Sequence, residues 1–381
     1  MIRFIQNPRI LPNLFQKVSI RRKSCPSIFK GYRTYSSSFP GYVNGLSNSK
    51  TKPSILITRP DLPKAAIRRL EEVCDVDMYE EEQPMPRKEL LARIRRKDGV
   101  LCVLTDRVDE EAIQQAGDDL KVISTIASGY DHIDMEECKS KGIAVGYIPY
   151  LPCASVAEWT VTMMLCAGRN FVRAVEAVKS GEWRHAWDPV WLCGRGLSNS
   201  VVGIVGMGGV GQMVCQRVMA FGVEKVLYYD IFNPVLGADQ LGAELTDLSS
   251  LLQESDFVVC AVNLWKGSAG LFDSRAFERM KASAVFVNTS RGEVVDQEAL
   301  FVALRDQKIR AAGLDVTVPE PLPTDHPLLT LPNIIITPHL AAAETHVRRQ
   351  MAELAADNLL LGLRGEPLKT PVPTRTLSNK E

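Results

Sequence analysis

The chain has 381 residues, 45% of them hydrophobic and 24% charged, with a formal net charge of +0. That length allows two domains with sizeable cores, and the balanced charge excludes a general electrostatic footprint for nucleic acid. No apolar run approaches the ~20 residues needed to span a bilayer, so neither nucleic acid nor membrane is expected as a partner. Nine cysteines are scattered without a C-x-x-C pair. They read as reduced, packed thiols rather than disulfides or zinc ligands, and no metal site is expected.

The first acidic residue is Asp61, and eleven Lys and Arg precede it among many serines. An acid-free, Arg- and Ser-rich N-terminus describes a mitochondrial presequence. Arg33-Thr34-Tyr35-Ser36 resembles a matrix-peptidase cleavage site. A disordered basic tail on a cytoplasmic protein is the alternative. Residues 1–52 are therefore expected to lie outside the fold.

Strands and helices then alternate. Ser54–Thr58, Val76–Tyr79, Val100–Leu104, Leu120–Ile126 and Ile143–Tyr147 read as strands. Pro63–Val73, Pro86–Lys97, Asp109–Ala116 and Asp134–Lys141 read as the helices between them, which implies a parallel sheet. A long apolar helix is expected from Ala154 to Asn170. Residues 181–196 hold three of the five tryptophans (Trp183, Trp187, Trp191) without periodicity. Core packing or an exchanged arm at a dimer interface would each account for them, and aromatic enrichment at interfaces favours the arm.

A second α/β unit opens at Ser200. Its first strand runs into Gly206-Met207-Gly208-Gly209-Val210-Gly211, which has the spacing G-x-G-x-x-G, and Asp230 ends the next apolar run nineteen residues after Gly211. Each part has a role in holding a dinucleotide. Gly206 permits the turn off the strand, Gly208 lets the backbone approach a pyrophosphate, and Gly211 lets the helix pack close. The helix N-terminus offers unpaired N–H groups to phosphate. An acid at Asp230 accepts from ribose hydroxyls and repels a 2′-phosphate, so NAD(H) is expected over NADP(H).

Further strands are expected at 257–262, ending in Val262 beside the cofactor, and at 284–287, 311–314 and 333–337, with helices at 248–252, 273–281, 297–304 and 342–363. The fold class is α/β, with two doubly wound parallel-sheet domains and the Rossmann cofactor domain inserted into a flavodoxin-like substrate domain. The expected division is 53–153 with 336–368 for the substrate domain, 154–335 for the dinucleotide-binding domain with its arm, and 369–381 as a tail.

Three charged groups fall on loops just after strands: Arg291, Glu320 and His339. Together they suit reduction of a 2-oxo acid. A guanidinium grips a carboxylate through a planar fork. An imidazolium donates a proton near neutral pH, and a carboxylate on its other nitrogen orients it. His132, His185, His326 and His346 are expected to be structural.

The glycine loop, Asn288-Thr289-Ser290-Arg291-Gly292, Gly313-Leu314-Asp315-Val316 through Pro319-Glu320-Pro321, and Pro338-His339 resemble, in order and spacing, the D-isomer-specific 2-hydroxyacid dehydrogenase family over residues 54–368. Segments such as Leu322-Pro323-Thr324 and Gly362-Leu363-Arg364-Gly365-Glu366-Pro367 resemble its branch acting on glyoxylate and hydroxypyruvate. The resemblance implies that Arg291 binds the substrate carboxylate, His339 is the acid/base and Glu320 its partner. It implies that Asp315 holds the nicotinamide carboxamide and that Thr289 lies close to the cofactor. Ser128 and Gly129 would take the carboxylate through backbone N–H groups. Trp187 would reach into the partner subunit's site, implying a homodimer.

The chain departs from that pattern in three places. Ala341 and Ala342 stand where such reductases carry Gly and Ser, which removes a hydroxyl near the substrate. Gly209 stands where many relatives have Arg, and Asp230 where NADP-using members lack an acid. Two other functions follow from these residues: a D-2-hydroxyacid dehydrogenase for a bulkier substrate, and a nucleotide-sensing scaffold resembling the corepressors that share the fold.

Overall fold

The computed structural model describes residues 52–373. The basic N-terminal segment with its expected cleavage site lies outside them. Buried parallel strands read as continuous apolar runs, because helices cover both faces of the sheet.

The first sheet holds β1 (Ser54–Ile57), β2 (Asp75–Met78), β3 (Gly99–Cys102), β4 (Val122–Thr125) and β5 (Ala144–Gly146). Their order is β2-β1-β3-β4-β5, all parallel. This is the flavodoxin-like order. The helices α1 (Lys64–Glu71), α2 (Arg87–Arg93), α3 (Glu110–Ala116) and α4 (Met135–Ser140) alternate with these strands. The N-terminal ends of α3 and α4 are capped by Asp109 and Asp134, whose carboxylates accept from the third residue onward.

The long helix α5 (Cys153–Gly168) leads to the second unit. There, β6 (Val201–Val205), β7 (Lys225–Tyr229), β8 (Ala243–Leu245), β9 (Phe257–Cys260), β10 (Val285–Asn288), β11 (Ala311–Leu314) and β12 (Ile334–Ile336) form a seven-stranded parallel sheet. Its order is β12-β11-β10-β9-β6-β7-β8. Read outward from β6 this is the doubly wound Rossmann order, with the switch point between β6 and β9. One core of it centres on Phe272, Phe277 and Phe286, with tilted and edge-on ring contacts about Phe286.

The last helix, α11 (Thr345–Leu363), returns to the first sheet. Its Met351, Leu354, Ala355 and Leu359 join Ile55, Ile57, Leu101 and Val122 in one core. The Rossmann unit is therefore inserted into the flavodoxin-like unit. Among the described residues no helix is long and apolar enough to cross a membrane.

Several expectations change. α11 begins at Thr345 rather than Ala342, because the N–H groups of Leu340 and Ala341 are bonded to Asp315 and Glu344 supplies the N-cap. β9 stops at Cys260, leaving Ala261 and Val262 in the loop that follows. Two elements went unread. One is α6 (Phe171–Lys179), restarted after Asn170 adopts a left-handed backbone at φ 53; the other is the short edge strand β8.

Residues 369–373 are no free tail. Pro371 bridges Gly146 in antiparallel sense, the Val372 N–H donates to the Val145 carbonyl (2.9 Å), and the Val372 side chain is buried. Among the described cysteines all are free, and Cys74, Cys102, Cys138, Cys153, Cys215 and Cys260 are buried.

Candidate active site

Parallel topology sends every loop that follows a strand of the Rossmann sheet to one edge. That edge and the facing edge of the first sheet line a cleft of about 2330 Å³. This exceeds the ~300–1,000 Å³ of an ordinary small-molecule pocket and fits a dinucleotide with a small acid beside it.

At the switch point, Gly206 has φ 97, and a Cβ there would lie 2.5 Å from the Ala261 carbonyl oxygen. A Cβ on Gly211 would lie 2.1 Å from the Gly206 oxygen, so the first turn of α7 (Gly209–Met219) packs directly on the strand. A Cβ on Gly208 would meet nothing within 4 Å; that side is open space at the helix N-terminus, where a pyrophosphate would sit. Gly206, Gly208, Gly209 and Val210 line the cleft, whereas Gly211 lies behind it.

Asp230 directly follows β7 and lines the same space. Its Oδ2 accepts from the Met207 N–H (2.7 Å) and its Oδ1 from the Phe232 N–H (2.9 Å). The carboxylate is thereby fixed against the glycine loop. The donor set and the open cradle fit a dinucleotide.

Val262 and Thr289 also line the cleft. Thr289 is buried, with its hydroxyl 2.7 Å from that of Thr160 on α5. Sequence reasoning missed Trp265 and Phe232, which also line the cleft. The Trp265 ring covers Gly267, where a Cβ would fall 2.2 Å from it. The signal was a lone tryptophan in the loop after β9, on the edge where the cofactor loops gather.

Arg291 follows β10. Asn288 shapes its loop by donating to the Arg291 carbonyl (2.8 Å) and accepting from the Ser290 N–H (3.0 Å). Across the cleft stand Ser128 and Gly129, in the loop after β4. A Cβ on Gly129 would lie 2.2 Å from Arg291 Nη2, so the two lobes meet here. Asp131, another residue not foreseen, pairs with Arg291 at 3.2 Å.

His339 and Glu320 follow β12 and β11. His339 Nδ1 lies 3.0 Å from Glu320 Oε2, and the other carboxylate oxygen, Oε1, accepts from the Thr317 N–H (3.0 Å). Burial works against the Glu320 charge. The hydrogen bond and charge of His339, with the Thr317 N–H and Arg291, outweigh it and hold the carboxyl below its ordinary range. The arrangement can orient an imidazole with one nitrogen free toward the cleft.

Asp315 directly follows β11. It is buried at 1% exposure and does not line the cleft. Its oxygens accept from the Leu340 N–H (2.9 Å), the Ala341 N–H (2.7 Å) and the Thr337 hydroxyl (2.6 Å). Three donors already use this carboxylate to hold the loop behind His339. Trp187 likewise does not line the cleft of its own chain; it stands 78% exposed.

Of the remaining histidines, His132 is half-buried with Nε2 3.0 Å from the Thr125 hydroxyl, and its desolvation pushes the pKa down to about 4. His326 caps a short turn through Nδ1 (3.2 Å from the Leu328 N). His185 lies beside Asp188 (3.4 Å) and His346 beside Arg349 (3.0 Å), though His346 also lines the cleft.

An inserted Rossmann unit and a His–carboxylate–Arg set at the mouth of its sheet define a nicotinamide-dependent oxidoreductase. The family model for the NAD-binding domain of D-isomer-specific 2-hydroxyacid dehydrogenases matches residues 161–341. The chain belongs to that family. It is 44% identical over 316 residues to a glyoxylate reductase/hydroxypyruvate reductase from Homo sapiens, covering 82% of this chain and 96% of that one. It is 41% identical over 321 residues to a glyoxylate reductase from Thermofilum pendens, covering 83% and 93%. A crystal structure of a Thermus thermophilus protein matches with a TM-score of 0.77 at 37% identity, covering 84% of this chain and all of that one.

Proposed function

We propose that this protein reduces a small 2-oxo acid, glyoxylate or hydroxypyruvate, to the D-2-hydroxy acid, with NADH preferred over NADPH. The observation that carries this reading is the meeting of Arg291, Glu320 and His339 at one sheet edge, across from Ser128 and Gly129. The bound nicotinamide supplies the hydride. Arg291 and the backbone N–H groups of Ser128 and Gly129 hold the substrate carboxylate, and Arg291 polarises the adjacent carbonyl. His339 gives its Nε2 proton to the carbonyl oxygen, with Nδ1 held by Glu320. On the cofactor side Asp230 takes the adenosine ribose, the glycine loop the pyrophosphate, and Val262 and Thr289 flank the ring end. For Asp315 a contact with the carboxamide would have to use the acceptor capacity its three donors leave over.

Ala342 lines the cleft without a hydroxyl, and that favours a second reading, a bulkier 2-oxo acid. A panel of 2-oxo acids measured with NADH and with NADPH separates the two. Turnover of hydroxypyruvate that vanishes in Arg291→Ala and His339→Ala supports the assignment; activity untouched by either change sinks it.

The protein is further read as a homodimer and, from its acid-free N-terminus, as a mitochondrial matrix enzyme. Import assays followed by N-terminal sequencing test the location. A mature chain still starting at Met1 in the cytosol would refute it.

A further inference from the structure

The carboxylate-gripping edge of Arg291 already holds a carboxylate. Nε lies 3.3 and 3.4 Å from the two oxygens of Asp131, and Nη2 lies 3.2 Å from Oδ1. Nη1 donates to the Ser290 carbonyl (3.0 Å). The Nε–Nη2 pair is the face that receives a planar anion bidentately. Here that anion comes from the protein, 160 residues away in sequence. The distances exceed the ~2.7–2.9 Å of a tight charge-assisted bond, so the pair is loose. It is also partly open, with side-chain exposures of 22% and 29%.

The charges explain what the pair does. Arg291 contributes one positive charge to the substrate end, and Asp131 cancels it there. Glu320, also within reach of Arg291, balances the charge of its own partner His339 in the same way. An incoming monoanion meets a guanidinium whose long-range field is neutralised but whose donors can still be shared. A second carboxylate on the substrate gains no cation from Arg291 and meets Asp131 instead.

We propose that Asp131 is a specificity-determining residue that balances Arg291, so that the cleft admits monoanionic 2-oxo acids and discriminates against dianionic ones. This rests on the reading that Arg291 binds the substrate carboxylate. Asp131 does no chemistry on the reacting atoms; it sets the charge that the substrate meets. Coulomb energy scales with the charge of the ligand, so removing the Asp131 charge tightens a dianion more than a monoanion. Partial exposure screens the effect and keeps it moderate.

The test uses the full chain as Asp131→Asn, which keeps the shape and removes the charge, with Asp131→Ala as a second variant lacking the amide. Oxamate (a monoanion) and oxalate (a dianion) are titrated in the presence of NADH, and kcat/KM is measured for hydroxypyruvate and for oxaloacetate. The expected result is oxamate bound about threefold tighter and oxalate about tenfold tighter, both gains shrinking as salt rises. The oxaloacetate-to-hydroxypyruvate ratio of kcat/KM rises in the same direction in both variants.

If both anions bind more weakly, Asp131 merely holds Arg291 in place and the proposal is overturned. An unchanged oxalate-to-oxamate ratio overturns it as well. If Asp131→Asn does not fold by circular dichroism, Asp131→Ala carries the comparison. A wild-type protein that neither binds oxamate nor turns over hydroxypyruvate removes the reading of Arg291 itself. A wild type that does both, with an unaltered ratio in the variants, removes only the role of Asp131.

Discussion

His339 Nδ1 and Glu320 Oε2 lie 3.0 Å apart although nineteen residues separate them. Adjacent parallel strands explain the meeting, since β11 and β12 pair in register and their loops leave the same edge. The folded state lowers the Glu320 carboxyl pKa. The interaction is therefore fully present above the ordinary carboxylate range and is lost as pH falls through the lowered value. The wild-type pH–kcat profile is expected to show an acid limb below that range. Glu320→Gln should lower kcat about tenfold and abolish that limb. A variant whose acid limb matches the wild type would contradict the pairing.

Asp315 gives a second test. His339 holds a left-handed backbone at φ 55, a conformation that costs a non-glycine residue on the order of 1–3 kcal/mol. The Asp315 carboxylate accepts from the two N–H groups that follow His339 and from Thr337, whose hydroxyl also lies 3.3 Å from the Trp159 indole nitrogen. Asp315→Asn replaces one acceptor by an NH₂ group facing donors. The expected outcome is a loss of about 1–3 kcal/mol of stability by denaturant titration and a fall in kcat, with cofactor Kd changed less than kcat. A selective loss of cofactor affinity at unchanged stability would point instead to the carboxamide role.

Much of this was legible because parallel strands covered on both faces appear as short apolar runs, and residues just beyond them share an edge. The order of Gly206, Asp230, Arg291, Glu320 and His339 along the chain thus predicted their convergence. What could not be read were contacts set by tertiary packing. Asp131 reaches Arg291 only because one lobe closes over the other. Ala341, Ala342 and Ala343 are strong helix formers, yet the N–H groups of Leu340 and Ala341 are taken by Asp315, so the helix starts later. Residues 369–373 carry no strand pattern, and β5 supplies the partner that orders them. α6 was hidden because a left-handed Asn170 separates it from α5, a backbone choice that local propensity does not announce.

The cofactor preference turns on one carboxylate. Asp230 is already anchored by Met207 and Phe232, so it cannot swing away from a 2′-phosphate without losing both bonds. A 2′-phosphate placed beside it would meet a like charge, the basis for the expected preference. Wild-type kcat/KM is expected to favour NADH. Asp230→Ser should move the NADH-to-NADPH ratio by about tenfold or more toward NADPH, equal to at least ~1.4 kcal/mol. A wild type that favours NADPH would refute the assignment.

The arm between α6 and the Rossmann sheet is tied at its base and bare at its tip. Asn170 Nδ2 donates to the carbonyls of Leu192 and Cys193 (3.2 Å each), and Arg310 Nη2 donates to Cys193 (2.7 Å). Beyond that anchor Trp183, Trp187 and Val190 stand exposed, the last at 81%, and so do Phe171, Val172 and Val178 on α6. Exposed aromatic side chains of this kind are enriched at interfaces. Sedimentation velocity is expected to give a dimer. Trp187→Ala should leave the dimer largely intact while raising KM for the 2-oxo acid, because its ring is read as closing the neighbouring subunit's site. Mixing that variant with His339→Ala then separates the models. In a mixed dimer, one site keeps His339 but is served by the arm of the His339→Ala chain, whose Trp187 is native. Restored activity at that site is the expected result, and mixtures no more active than the sum of the two variants would show that Trp187 serves only its own chain.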